Sequence, residues 1–136
     1  MKALNVFFIL LFVFSAAVQY NDPDPYLWIP IYLYGAILCY LALKGKYNRY
    51  LYQIGFSFYL LYAVFLFIDT TGVQSWWLEH EAENIVQSMK ATKPWIEETR
   101  EFFGLILLCS ALLINTFWIS RKRKASSALD VSRQSV

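Results

Sequence analysis

A single histidine, His80, and two cysteines, Cys39 and Cys109, are all the nitrogen and sulfur side chains that 136 residues offer toward a zinc ribbon, thiol redox chemistry or a histidine relay. Neither a Cys-x-x-Cys spacing nor a Cys/His cluster is present, which excludes a zinc ribbon or redox dithiol as a motif. Charge is also scarce. Only 16% of residues are charged, against about 25% in an ordinary soluble domain. A net charge of +2 is not the large basic excess typical of nucleic-acid binders, and no nucleic-acid partner is expected.

What the chain has instead is apolar: 58% of residues are hydrophobic and 19% aromatic. The apolar residues fall into four runs, at about 3–20, 26–43, 51–68 and 102–119, each free of Asp, Glu, Lys and Arg. Each approaches the ~20 residues that a helix needs to cross hydrocarbon. Shorter strands of period two would mark an outer-membrane barrel, and they are absent from the pattern. The expectation is an all-α integral membrane protein, an antiparallel four-helix bundle in residues 1–120 whose solvent is the lipid bilayer. Residues 121–136 are expected to form a basic, disordered tail. A cleaved signal peptide is the competing reading of "MKALNVFFILLFVFSAAVQ", but the apolar stretch continues to Tyr20 and suits a span. At ~1.5 Å per residue, Cys39 and Cys109 should differ in depth by roughly 9 Å, beyond the ~7 Å limit for a disulfide, so free buried thiols are expected.

Charge sets the expected orientation. Lys2, Lys44, Lys46, Arg49 and the tail cations Arg121 to Lys124 and Arg133 gather on one side, which the positive-inside rule makes cytoplasmic along with both termini. Nine of the ten acids, from Asp22 to Glu101, fall on the other side, with Asp130 the exception. In the long outer loop, Ser75 can cap a short amphipathic helix at about 75–90, with Trp76 and Trp77 at headgroup level.

The stretch "NDPDP" between the first two spans combines a cap residue, Asp24, with Pro25 at the first helical position. That device explains the prolines and Asp24, and explains Asn21 and Asp22 less well. Along the helix that enters the last span, Glu97, Glu101, Gly104, Leu108, Ala111 and Asn115 share one face. Small residues and a span asparagine favour a neighbouring helix, so this face should turn inward and take Glu97 and Glu101 with it. Asn21, Ala17, Phe14, Leu10 and Phe7 form a matching stripe on the first span, and Trp28, Tyr32, Gly35, Cys39 and Ala42 one on the second. Antiparallel packing then brings Asn21, Asp22, Asp24, Asp69, Glu97 and Glu101 to one outer mouth.

"NDPDPYLWIPIYL" after a first span, with "EETREFFGLILL" opening the last, resembles the transmembrane protein 220 family of small four-helix membrane proteins. The resemblance covers the four helices. It implies architecture and retention of the first helix, and no reaction. Asn21, Asp22, Pro23, Asp24 and Pro25, with Glu98, Arg100, Glu101 and Gly104, match the family pattern.

Three functions follow as expectations. A binding or assembly protein would use an acidic mouth of Asn21, Asp22, Asp24, Glu97, Glu98, Arg100 and Glu101 for a cation, a cationic small molecule or a partner protein's basic segment, and a homo-oligomer is the other association expected. An enzyme would hold a divalent cation on the same carboxylates, which needs no histidine. A small transporter or oligomeric channel ranks third, because no span carries an ionisable residue through its centre.

Overall fold

The computed structural model describes residues 1–69, 72–79 and 93–134. Within them the chain is helical: α1 (Lys2–Val18), a 3₁₀ turn at Gln19–Asn21, α2 (Pro25–Leu43), α3 (Arg49–Ile68), α4 (Val73–Leu78) and α5 (Pro94–Gln134). Helices α1, α2, α3 and α5 are long and apolar enough to cross a membrane, and the protein is an integral multi-pass membrane protein with four candidate spans. A helix satisfies its interior backbone groups within the segment, which is why apolar runs in lipid take this form.

The helix ends follow from local chemistry. Pro25 opens α2 behind Asp24, as expected, although the Asp24 side chain makes no cap hydrogen bond. Gly45 takes φ 73° just past α2, where Lys46 N–H donates to Leu41 O at 2.8 Å and closes the helix. Asn48 then caps α3, its Oδ1 accepting from Tyr50 N–H at 3.0 Å.

Packing is closest between α1 and α2 and between α3 and α5, with α2 and α5 also in contact. The inward stripe on α2 is the expected one, since Trp28, Tyr32, Gly35 and Cys39 are buried. On α5, Leu108, Ala111 and Asn115 are buried, while Phe103, Ile106 and Leu107 face outward. The α1 stripe is a correction. Phe7, Leu10 and Phe14 are exposed, and the buried face is Asn5, Phe8, Phe12 and Ala16. Phe and Leu surround this helix on every side, so hydrophobicity could not choose between its faces.

Hydroxyls and glycines make the close contacts. Tyr59 and Tyr52 of α3 donate to the α2 carbonyls of Ile31 and Leu38 at 2.8 and 2.7 Å. A side chain added at Gly35 would meet Leu108 and Phe12, and one at Gly104 would meet the Tyr32 hydroxyl. Cys39 and Cys109 are buried free thiols, and Asn115 Nδ2 bonds Ala111 O at 3.1 Å while approaching Cys39 Sγ at 3.9 Å.

Two peripheral segments differ from expectation. Helix α4 begins at Val73 with Gly72 in the cap position, and Ser75 lies buried inside it, donating to Glu79 Oε2 at 2.8 Å. The rest of the anticipated surface helix, His80 included, lies outside the described residues. Beyond residue 120, α5 continues as helix to Gln134, with 121–130 exposed. Arg, Lys, Ala and Leu propagate a helix readily once a span has supplied the costly nucleus.

Gly35→Val should lower unfolding free energy in detergent by about 1–3 kcal/mol, the usual penalty for overpacking a filled core. An unchanged thermal midpoint would contradict the α2–α5 approach described.

Candidate functional site

The ends of α2 and α5 meet at the mouth opposite the termini. Asp22 follows the 3₁₀ turn, Asp24 precedes α2, and Glu97 and Glu101 sit one turn apart at the start of α5. One carboxylate oxygen from each of Asp22, Asp24, Glu97 and Glu101 lies within 4.8 Å of all the others. All four residues are half-buried. Two oxygens on opposite sides of a calcium ion stand about 5 Å apart, so this spacing is of the size that a shared Ca²⁺ spans. The smaller Mg²⁺ would require them to draw in.

Beside the cluster is a cavity of about 170 Å³ that Asp22, Glu97, Arg100 and Glu101 share with Gln19 and Tyr32. Four carboxylates this close cannot all ionise without compensation. Asp22 records the strain: its carboxyl is pushed from 3.8 up to about 6. Burial is the largest cause, followed by the charge of Glu97 and by the hydrogen bond and charge of Asp24, while Arg100 pulls the other way.

Further polar atoms meet here. Gln19 is 8% exposed, and its Oε1 is buried with no hydrogen-bond partner among the described residues. Asp24 Oδ1 is in the same condition. The indole N–H of fully buried Trp28 lies near the Glu101 carboxylate but outside hydrogen-bonding geometry. Buried polar atoms are ordinarily partnered, and leaving one unsatisfied costs about 1–3 kcal/mol. Two unsatisfied oxygens at one mouth therefore describe a place suited to a cation or a hydrogen-bond donor.

A family model described as "Transmembrane family 220, helix" matches residues 11–117. The chain belongs to transmembrane family 220. No curated protein and no solved structure matches it. The stretch assigned to family 220 runs from α1 into α5 and encloses every member of the carboxylate cluster.

Not all of the anticipated mouth converges. Asn21 is exposed at the end of the 3₁₀ turn. Glu98 turns to Gly72, whose missing side chain makes room for its carboxylate. Asp69 ends α3 and is outside the group of four. Sequence reasoning missed Gln19, Trp28 and Tyr32 as neighbours of this cluster. A signal for Gln19 existed, because Asn5, Phe8, Phe12, Ala16 and Gln19 step by three and four along one face.

Asp22 also gives the site a pH signature. Between about pH 4 and pH 6 the unfolded chain releases this proton while the folded chain keeps it, so native stability falls as pH rises through that window. Asp22→Asn removes that part of the fall and should leave the cation-free protein at least as stable as the native one at pH 7.5. Identical pH profiles for the two proteins in chemical unfolding would refute this description of Asp22.

Proposed function

We propose that this family 220 protein is a membrane-embedded binding protein whose acidic mouth faces outward and takes a cation, with both termini in the cytoplasm. The observation that supports it most is the convergence of four carboxylates from two helix ends within 4.8 Å. Helix capping alone would favour acids at each end separately and has no need to bring them together. Gln19 Oε1 adds a neutral oxygen ligand of the kind a hard cation accepts. Lysines and arginines concentrate at the opposite end, which favours the orientation. A basic segment of a partner protein, or of a second copy of the chain, is the other occupant this mouth suits.

A metal-dependent enzyme using the same carboxylates is the second reading. Asp22 favours it, because burial and its acidic neighbours raise its carboxyl to about 6, where a group not itself bound to the ion can exchange protons near neutral pH. It requires turnover that Asp22→Asn abolishes while the ion still binds.

Titration of the detergent-purified protein with Ca²⁺, Mg²⁺, Mn²⁺ and Zn²⁺, read as thermal stability, tests the proposal. One ion, with Ca²⁺ expected, should stabilise saturably, by about 2.7 kcal/mol at a hundred times its dissociation constant. Asp22→Asn and Glu101→Gln should each abolish the gain. The gain should also grow from pH 5 to pH 7 as Asp22 gives up its proton. No ion-dependent shift at any pH would overturn the cation reading and leave the mouth to basic protein segments.

A further inference from the structure

At the end of the bundle that carries both termini lies a second, larger cavity of about 580 Å³, between α1, the close of α2 and α5. Its volume falls within the range of ligand pockets. Four cations line it, Lys2, Lys44, Lys122 and Arg123, and no acid does. They come from three separate helices or helix ends. The positive-inside rule accounts for basic residues on this side, and it gives no reason for them to surround one hollow. Two of the cations are also held in place by aromatic rings, Arg123 over Tyr47 at 5.1 Å and Lys44 over Tyr40 at 5.6 Å.

The remaining walls narrow the choice of occupant. Leu43, Trp118 and Ile119 present apolar surface beside the cations. Asn5 and Asn115 also line the cavity, and they are only 3% and 1% exposed. Asn115 donates within its own helix, whereas Asn5 Oδ1 has no hydrogen-bond partner among the described residues. A free anion would engage the cations and leave the apolar walls unused. A phospholipid whose headgroup carries hydroxyls engages all three: phosphate on the lysines and arginine, hydroxyl on Asn5, and glycerol backbone along Leu43 and Trp118.

We propose that this cavity binds the headgroup of an anionic phospholipid from the leaflet on the terminal side. Basic pockets between membrane helices have the charge and position such lipids require. The proposal is independent of the carboxylate mouth, which lies at the other end of the bundle.

The test uses the full chain in an uncharged detergent, with thermal midpoints taken against phosphatidylglycerol, phosphatidylcholine and inorganic phosphate at matched ionic strength. Native mass spectrometry counts the bound lipid. Phosphatidylglycerol should raise the midpoint saturably, well beyond the other two. Lys44→Gln combined with Arg123→Gln should weaken it by roughly tenfold or more, whereas Lys46→Gln combined with Arg121→Gln, of equal charge loss outside the cavity, should not. A phosphate effect equal to the lipid effect would show a simple anion site and overturn the lipid assignment. Equal weakening by both pairs would reduce the effect to general surface attraction, and no lipid-dependent shift with no retained lipid would also overturn the proposal. Because all four substitutions replace exposed side chains, the variants should fold, and the lipid-free midpoint checks this directly.

Discussion

The approach of α2 to α5 fixes everything else at the acidic end. In hydrocarbon, helices gain little from hiding apolar surface and associate through close packing, which small residues permit. Here the lack of a side chain at Gly104 seats the Tyr32 hydroxyl against α5, and the same lack at Gly35 seats Leu108 and Phe12 against α2. These two contacts set the relative height of the helices. Asp24 stands two turns before Tyr32, and Glu101 one turn before Gly104. Once the glycine contacts are made, the acids at the two helix starts must face one another.

Such a meeting is electrostatically unfavourable unless something compensates it. Partial burial raises the penalty by removing water, and the raised titration of Asp22 is its direct expression. Arg100 offsets part of the negative charge, and a retained proton offsets more at low pH. A divalent cation would replace that proton near neutrality, which ties the proposed ligand to the cause of the perturbation. The opposite end has the reverse character, with cations from three helices around a larger hollow. A bundle of four spans thus presents an acidic mouth and a basic cavity at opposite membrane faces, and helix packing positions both.

Much of this was legible in the sequence, for a physical reason in each case. Four charge-free runs can hardly be anything but spans, and the α5 face from Glu97 to Asn115 declared itself because small and polar residues recur along it at helical spacing. The α2 stripe from Trp28 to Cys39 stood out through Gly35 in the same way. Helix α1 resisted, since Phe7, Phe8, Leu10, Leu11 and Phe12 leave no apolar face distinct from the rest. The informative residues were Asn5 and, in the 3₁₀ turn that follows, Gln19, each buried and each bordering a different cavity. The divergence of Glu98 from Glu97 and Glu101 depends on space left by Gly72, a residue from a distant part of the chain. The basic cavity was hidden for another reason, because topology already accounted for every cation in it.

A shared cation at this mouth requires that the acids of α2 and α5 form one electrostatic unit. A double-mutant cycle with Asp24→Asn and Glu101→Gln, read as unfolding free energy in the absence of added cations at pH 7.5, tests this most directly. Asparagine keeps the shape of Asp24, whose side chain makes no cap hydrogen bond, so the exchange removes charge and little else. Carboxylates sharing one mouth should give an interaction energy clearly above about 0.5 kcal/mol, with the second neutralisation relieving less repulsion than the first. Effects that add to within about 0.3 kcal/mol would place the two carboxylates in separate environments and contradict the composite site.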